Sequence, residues 1–198
     1  MNKVGIYGGS FNPIHIGHLI VASIVYEKTN LDKIFFIPSY DPPHKDSLQV
    51  DFKNRYKMVN LAIRDDLRFE ILDIEASLKQ PNYSLFTMRY LQEKYDYDFY
   101  FIMGEDSFLE IEKWYNYKDF LLENKIVVVN RSLDGKSRIE NKKEQLKFSK
   151  EIDLVQIPFI DISSSKIRSD LKINKNLVRY QVPSEVFNFI LKEGLYGR

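Results

Sequence analysis

Cysteine is missing from all 198 residues, which excludes a disulfide framework, thiolate metal sites and a cysteine nucleophile, and fits a reducing compartment. A surplus of one charge is missing too. Lysine and arginine total 29 against 28 aspartates and glutamates, so the chain exerts no global pull on nucleic acid, and any phosphate ligand needs a local site. No apolar run approaches the roughly 18 residues of a membrane span. The first residues enter a strand pattern without the basic and apolar regions of a secretory signal. The expected setting is therefore cytoplasmic, with neither a membrane nor a nucleic acid as partner. Internal repeats and low-complexity tracts are lacking as well. What is present, 44% hydrophobic and 14% aromatic residues, suffices for one α/β domain with a sizeable core.

Histidine is scarce, and its distribution is informative: of His15, His18 and His44, two fall in one stretch. Val4-Gly5-Ile6-Tyr7 is a β-compatible run, and Gly8-Gly9-Ser10-Phe11-Asn12-Pro13-Ile14-His15-Ile16-Gly17-His18 follows it. The pattern reads as strand, tight loop and helix N-terminus, the junction at which α/β folds hold phosphates. Gly8 and Gly9 let backbone approach a ligand, and the first helical turn is expected to offer N–H groups without partners. His15 and His18, three residues apart, share one face of that turn and can donate hydrogen bonds to phosphoryl oxygens. The spacing is neither G-x-G-x-x-G nor the Walker pattern, so those two phosphate-binding readings lose support.

Leu19 to about Lys28 continues as a largely apolar helix ended by Thr29-Asn30, and Lys33-Ile34-Phe35-Phe36-Ile37-Pro38 reads as a buried strand that closes a βαβ unit. A Pro-rich loop, Ser39 to Asp46, carries His44 and Lys45. Asp51 is an expected N-cap for a helix with Phe52, Tyr56, Val59, Leu61 and Ile63, on which Arg55 is expected to be a surface charge. Arg68 to Ile74 alternates like a strand, and Ser84 is expected to cap a helix bearing Leu85, Met88 and Leu91, with Tyr83 packed against it. Phe99 to Met103 is a strand that ends at Gly104-Glu105-Asp106-Ser107. Gly104 allows a nucleotide to lie against backbone, while Asp106 reads equally as an acceptor for ribose hydroxyls or as the N-cap of the segment Ser107 to Ile111. Trp114, the single tryptophan, reads as a packing residue on its own. Lys125 to Val129 is a strand, and Arg131 beyond it is a ligand contact or a solvated charge. Ser132 to Lys150 is a polar surface excursion with room for one weak helix. Ile152 to Ile157 is the last strand, and Val182-Pro183-Ser184 starts a terminal helix that Gly194 ends.

Before that terminal helix comes Ile162-Ser163-Ser164-Ser165-Lys166-Ile167-Arg168. Its serines read as an N-cap and first helical turn where hydroxyls converge on phosphate oxygens, with Arg168 one turn further in as a forked donor. The stretch from Gly8 to His18 and this second one, in this order and spacing, resemble the two signatures of the HxGH nucleotidyltransferase superfamily. Within it the chain is most similar to the nicotinate-mononucleotide adenylyltransferase branch, and the resemblance covers nearly the whole length. Asn12 stands where many relatives have Asp; both can cap a turn, so the change reads as tolerated.

The resemblance implies a fold: α/β, a Rossmann-like open, mostly parallel sheet with helices on both faces. It also implies one domain over residues 1–198, whose part from about 160 to 198 is a small helical subregion. The implied reaction transfers the adenylyl group of ATP to nicotinate mononucleotide and releases pyrophosphate. His15, His18 and Arg168 would be catalytic. Gly8, Gly9, Ser10, Phe11, Gly17, Gly104, Asp106, Ile162, Ser163 and Ser164 would hold ATP. Lys45, Tyr83, Ser84, Thr87, Trp114 and Arg131 would hold the pyridine nucleotide, Trp114 by stacking on its ring. Mg²⁺ would arrive with ATP, since no protein cage for it is visible. A homo-oligomer is compatible with all of this. Two rivals stand beside it: transfer to another phosphorylated acceptor such as phosphopantetheine or glycerol phosphate, and a nucleotide-binding module without turnover. The Pro-Pro-His-Lys loop, Trp114 and the chain length argue against the first; His15, His18 and Arg168 together argue against the second.

Overall fold

The computed structural model describes residues 1–40, 49–78, 82–132, 134–146 and 151–197. Six strands, β1 (Lys3–Gly9), β2 (Lys33–Pro38), β3 (Phe69–Ile71), β4 (Asp98–Gly104), β5 (Lys125–Asn130) and β6 (Glu151–Gln156), form one sheet in the order β3-β2-β1-β4-β5-β6. Every neighbouring pair is parallel. The order reverses between β1 and β4, and in open parallel sheets the crevice beyond the carboxyl ends at such a point is where ligands bind. Val4 pairs with Phe99 and Tyr7 with Ile102, so Gly8 and Gly9 end beside Met103 and Gly104 at that point.

Strand side chains alternate between two apolar clusters, which puts helices on both faces. Phe36, Tyr100, Ile102, Val127 and Val129 face one way. That side is covered by α1 (Ile16–Thr29), α2 (Phe52–Ile63), α8 (Ser164–Ile173) and α9 (Ser184–Lys192). Phe35, Phe99, Phe101, Ile126 and Val128 face the other. Their cover is α3 (Ile74–Ser77), α4 (Ser84–Lys94), α5 (Glu105–Leu109), α6 (Tyr117–Glu123) and α7 (Gly135–Leu146). Ile167 and Leu171 of α8 and Val186, Phe187 and Ile190 of α9 lie in the same cluster as Met58 and Val59 of α2, so the segment after residue 160 shares the core of the sheet. Among the described residues no helix is long and apolar enough to cross a membrane.

Most elements fall where the sequence pattern puts them, and Gly194 follows α9 with a φ of 62°, the left-handed position glycine adopts without strain. Three local expectations are corrected. The strand over Arg68 to Ile74 is only three residues long, because β3 is an edge strand paired with β2 alone and the chain then turns into α3. Ser84 does not cap α4: Tyr83 occupies the extended N-cap position, its carbonyl accepts from the Phe86 and Thr87 N–H groups, and no side chain caps. The helix after β4 begins at Glu105 with Gly104 as its N-cap, which places Asp106 inside the first turn rather than before it.

Candidate active site

The loop after β1 is held in a shape that propensity alone disfavours. Phe11 has a φ of 44°, rare for a residue with a side chain. Packing holds Phe11 there: its buried ring lies against Tyr7, His18 and Phe36 at centroid distances of 5.7, 5.1 and 5.7 Å. The loop then delivers His15 to the N-cap of α1 and His18 to its third position, and the two imidazoles stack at 3.7 Å. Gly17 permits this arrangement, since a Cβ there would stand 3.0 Å from His15 Nδ1.

The helix start itself behaves differently from expectation. The Ile16 N–H donates to the Gln181 carbonyl and the His18 N–H to the His15 carbonyl, so an anion here meets imidazole edges rather than those two amides. The His15 N–H donates to His18 Nδ1 at 3.2 Å, which leaves Nε2 to carry the proton of neutral His18. His15 Nδ1 is buried with no hydrogen-bond partner, so its neutral ring too is cheapest with the proton on Nε2. Burial first, and the nearby Arg131 charge second, lower the His15 pKa to about 4, so this ring is neutral at physiological pH.

The second motif docks onto the first. Ser163 caps α8 by accepting from the Lys166 N–H, the Ser164 hydroxyl donates to the Pro13 carbonyl at 2.9 Å, and Arg168 donates to the Asn12 carbonyl at 2.8 Å. Asn12 is fixed from a second direction, because the Tyr196 hydroxyl donates to its Oδ1 at 2.6 Å. A cavity of about 780 Å³ opens between these elements, lined by Gly9, Ser10, Phe11, His15, Gly17, His18, Gly104, Asp106, Arg131, Ile162, Ser163, Ser164 and Arg168. Arg131 and Asp106 pair at 3.3 Å on its exposed wall.

A smaller cavity of about 360 Å³ lies on the opposite side of the β1/β4 junction. Gly8, Tyr83, Ser84, Thr87, Trp114 and Tyr115 line it, together with Glu75. The half-buried Trp114 is held edge-on by Phe101 at 5.9 Å and tilted against Phe120 at 5.4 Å, while Tyr83 stacks on Tyr115 at 4.5 Å. The two cavities share Tyr7, Gly9, Ser10, Met103, Gly104 and Ser107 as a common wall. A Cβ on Gly8 or Gly104 would meet nothing within 4 Å, so backbone is exposed to the cavity there. Arg131 lies on the larger cavity, not beside Trp114 and Thr87. Lys45, and His44 beside it, fall outside the described residues.

Three charged side chains with structural roles here were not legible as such. Arg55, expected on the surface, is 1% exposed and donates to the carbonyls of Val50, Ser10 and Tyr40 at 3.2, 2.8 and 3.2 Å. Its planar fork ties the loops after β1 and β2 together, and burial lowers its pKa. Glu105 is buried at the end of β4, accepts from the Ser132 hydroxyl at 2.9 Å and pairs with Arg138 at 2.6 Å. Gly135 allows the contact, as a Cβ there would lie 2.6 Å from Glu105 Oε2. Glu75 is buried against Tyr40 and Thr87. The available cues were the motif neighbour Glu105 beside Gly104 and the lone glycine at the start of α7; Arg55 and Glu75 carried none.

The cytidylyltransferase-like family matches residues 6–170 of the chain. A protein of Caldicellulosiruptor saccharolyticus described as a probable nicotinate-nucleotide adenylyltransferase is 40% identical over 98% of this chain and 98% of its own length. One from Clostridium tetani with the same description is 38% identical over 99% of this chain and 100% of its own. Among solved structures, the Plasmodium falciparum nicotinic acid mononucleotide adenylyltransferase complexed with NaAD superposes with a TM-score of 0.80 at 25% identity, covering 99% of this chain and 98% of that one.

Proposed function

Because the chain belongs to the cytidylyltransferase-like family, we propose that it transfers the adenylyl group of ATP to nicotinate mononucleotide, giving nicotinate adenine dinucleotide and pyrophosphate. One observation carries the reading: a polar cavity with two imidazoles and Arg168 and an aromatic cavity with Trp114 share a wall at the ends of β1 and β4 that includes Gly9 and Gly104. Two nucleotides placed one in each bring an acceptor phosphate and an α-phosphorus together at that wall. The acceptor's 5′-phosphate oxygen attacks the α-phosphorus in line, the bond to the bridging oxygen breaks, and pyrophosphate leaves with the electron pair. No protein nucleophile is required, so the work of the chain is positioning and charge stabilisation.

His18 and His15, both carrying their proton on Nε2 when neutral, donate to phosphoryl oxygens whose charge grows in the transition state. Arg168 and the serines at the start of α8 face the β- and γ-phosphates, and the hold of Arg168 and Ser164 on residues 12 and 13 keeps the two halves of the site in register. Asp106 at the mouth accepts from ribose hydroxyls. The smaller cavity takes the pyridine ring against Trp114, with Thr87 and Tyr83 at its edge; indole on a cationic ring contributes on the order of 1 kcal/mol or more once water is excluded. Mg²⁺ arrives on the triphosphate as part of the substrate and neutralises the departing pyrophosphate.

Pyrophosphate release with Mg–ATP and nicotinate mononucleotide tests the proposal, with phosphopantetheine run alongside. Turnover with nicotinate mononucleotide is the expected result. Release only with another acceptor moves the chain to a different branch of the family, and release with none makes it a binding module.

A further inference from the structure

Two ties join the loop after β5 to the start of α5, one exposed and one sheltered. The exposed tie is the pair of Arg131 with Asp106 on the wall of the larger cavity, at 3.3 Å between side chains that are 52% and 82% exposed. A pair so open to water is too weak to fix a guanidinium by itself. The sheltered tie lies one residue away on each segment: the Ser132 hydroxyl donates to Oε2 of the buried Glu105 at 2.9 Å. Arg138 of α7 closes it, pairing with Glu105 Oε1 at 2.6 Å and donating to the Ser132 hydroxyl at 3.0 Å. On the other side of Arg131, the buried Asn130 accepts from the Ser132 N–H at 2.9 Å through Oδ1 and donates to Gln156 Oε1 at 2.5 Å. The backbone is thus clamped on both sides of Arg131, while its side chain stands in the cavity, where its charge reaches Tyr7 and His15.

We infer that Glu105 is a positioning residue for the reaction: by holding Ser132 and Arg138 it fixes the backbone that carries Arg131, and so aims the guanidinium at a phosphate oxygen of a bound nucleotide. The inference rests on the reaction proposed above. Glu105 itself lines the larger cavity, but its Oε2 accepts from Ser132 and its Oε1 is paired with Arg138, so it acts on the nucleotide through Arg131 rather than by contact. Arg138 also offsets a negative charge that would otherwise repel phosphate from this wall. Two phosphates come within the scope of Arg131, the triphosphate of ATP and the acceptor's 5′-phosphate that meets it at the shared wall. A guanidinium has the charge and the fork to hold either, provided that its stem starts from a fixed point.

The test is a double-mutant cycle of wild type, Glu105→Ala, Arg131→Met and the two combined. In each, kcat/KM is measured for Mg–ATP at saturating nicotinate mononucleotide and for nicotinate mononucleotide at saturating Mg–ATP. Glu105→Ala is expected to lower one of the two values about tenfold, through KM, and the substrate affected is the one whose phosphate Arg131 holds. In the Arg131→Met background the same substitution is expected to change that value by less than about twofold, because the guanidinium it positions is already gone. An equal fall in both backgrounds overturns the inference, since a merely structural loss does not depend on Arg131. Wild-type values in Glu105→Ala overturn it too. Ser132→Ala, which deletes one hydroxyl and leaves the pair of Glu105 with Arg138, is run through the same cycle; should Glu105→Ala fail to fold, an effect of Ser132→Ala that does not depend on Arg131 overturns the inference. If wild type turns over no acceptor, the proposed reaction falls. The cycle is then read in Mg–ATP affinity by calorimetry, where additivity overturns the role of Glu105 and dependence on Arg131 supports it.

Discussion

His15 and His18 are three residues apart in a helix, yet their rings stack because Gly17 contributes no side chain between His15 and the backbone. Gly17→Ala is therefore expected to displace the His15 ring and lower kcat while leaving the melting temperature within a few degrees, a combination that a thermal melt beside a pyrophosphate assay reads directly. In the proposed reaction His18 donates to developing charge, so His18→Ala is expected to cost about 10²- to 10³-fold in kcat without loss of fold, checked by circular dichroism. His15 also leaves a mark on stability. Its folded pKa of about 4 lies below the ordinary 6.5, so between those values the unfolded chain binds the additional proton and stability rises with pH. The contribution is whole above about pH 6.5 and is lost as pH falls through about 4. From pH 7 to pH 5, wild type is expected to lose about 2 kcal/mol more than His15→Gln in urea denaturation.

At the level of elements, strand positions were readable because buried parallel strands leave a run of apolar residues between turn signals, as in Lys33–Pro38 and Lys125–Asn130. The helix over 135–146 was weak in the sequence because only Ile139, Leu146 and Gly135 of its twelve residues are buried. Arg55 was misread for a physical reason. Its partners are backbone carbonyls, one of them 45 residues away, and a carbonyl has no signature in a sequence. Glu75 was hidden similarly, on a four-residue helix too short to show a period. Arg55→Met leaves three carbonyls without their donor and is expected to destabilise the protein by about 3 kcal/mol or more in urea. Arg55→Lys should recover little of it, because an ammonium cannot span three acceptors in a plane. Recovery of wild-type stability in Arg55→Lys would show that charge, not the fork, matters.

Across the whole molecule, the signature residues were legible and their assembly was not. The loop near residue 12 and the helix after residue 163 were recognisable by their residue types, but the hydrogen bonds that join them span 151 and 156 positions, and the Tyr196 bond to Asn12 spans 184. That last bond had no cue, since Tyr196 belongs to neither motif. Tyr196→Phe leaves Asn12 Oδ1 buried without its donor and is expected to cost about 1–3 kcal/mol in urea and to lower kcat through the loosened loop.

The same long-range closure orders events during synthesis. The strand that starts the sheet and the loop after it leave the ribosome early, but their partners at 164, 168 and 196 follow only after nearly all of the remaining chain has been translated. Contacts this distant in sequence are slow to form, and domains emerging N-terminus first must wait for them. A nascent chain can hence pair β1 with β2 and begin its core while the loop near residue 12 still lacks its distant partners. Full activity is therefore expected only in chains that reach Tyr196, and truncation before it is expected to lower stability and activity at least as much as Tyr196→Phe.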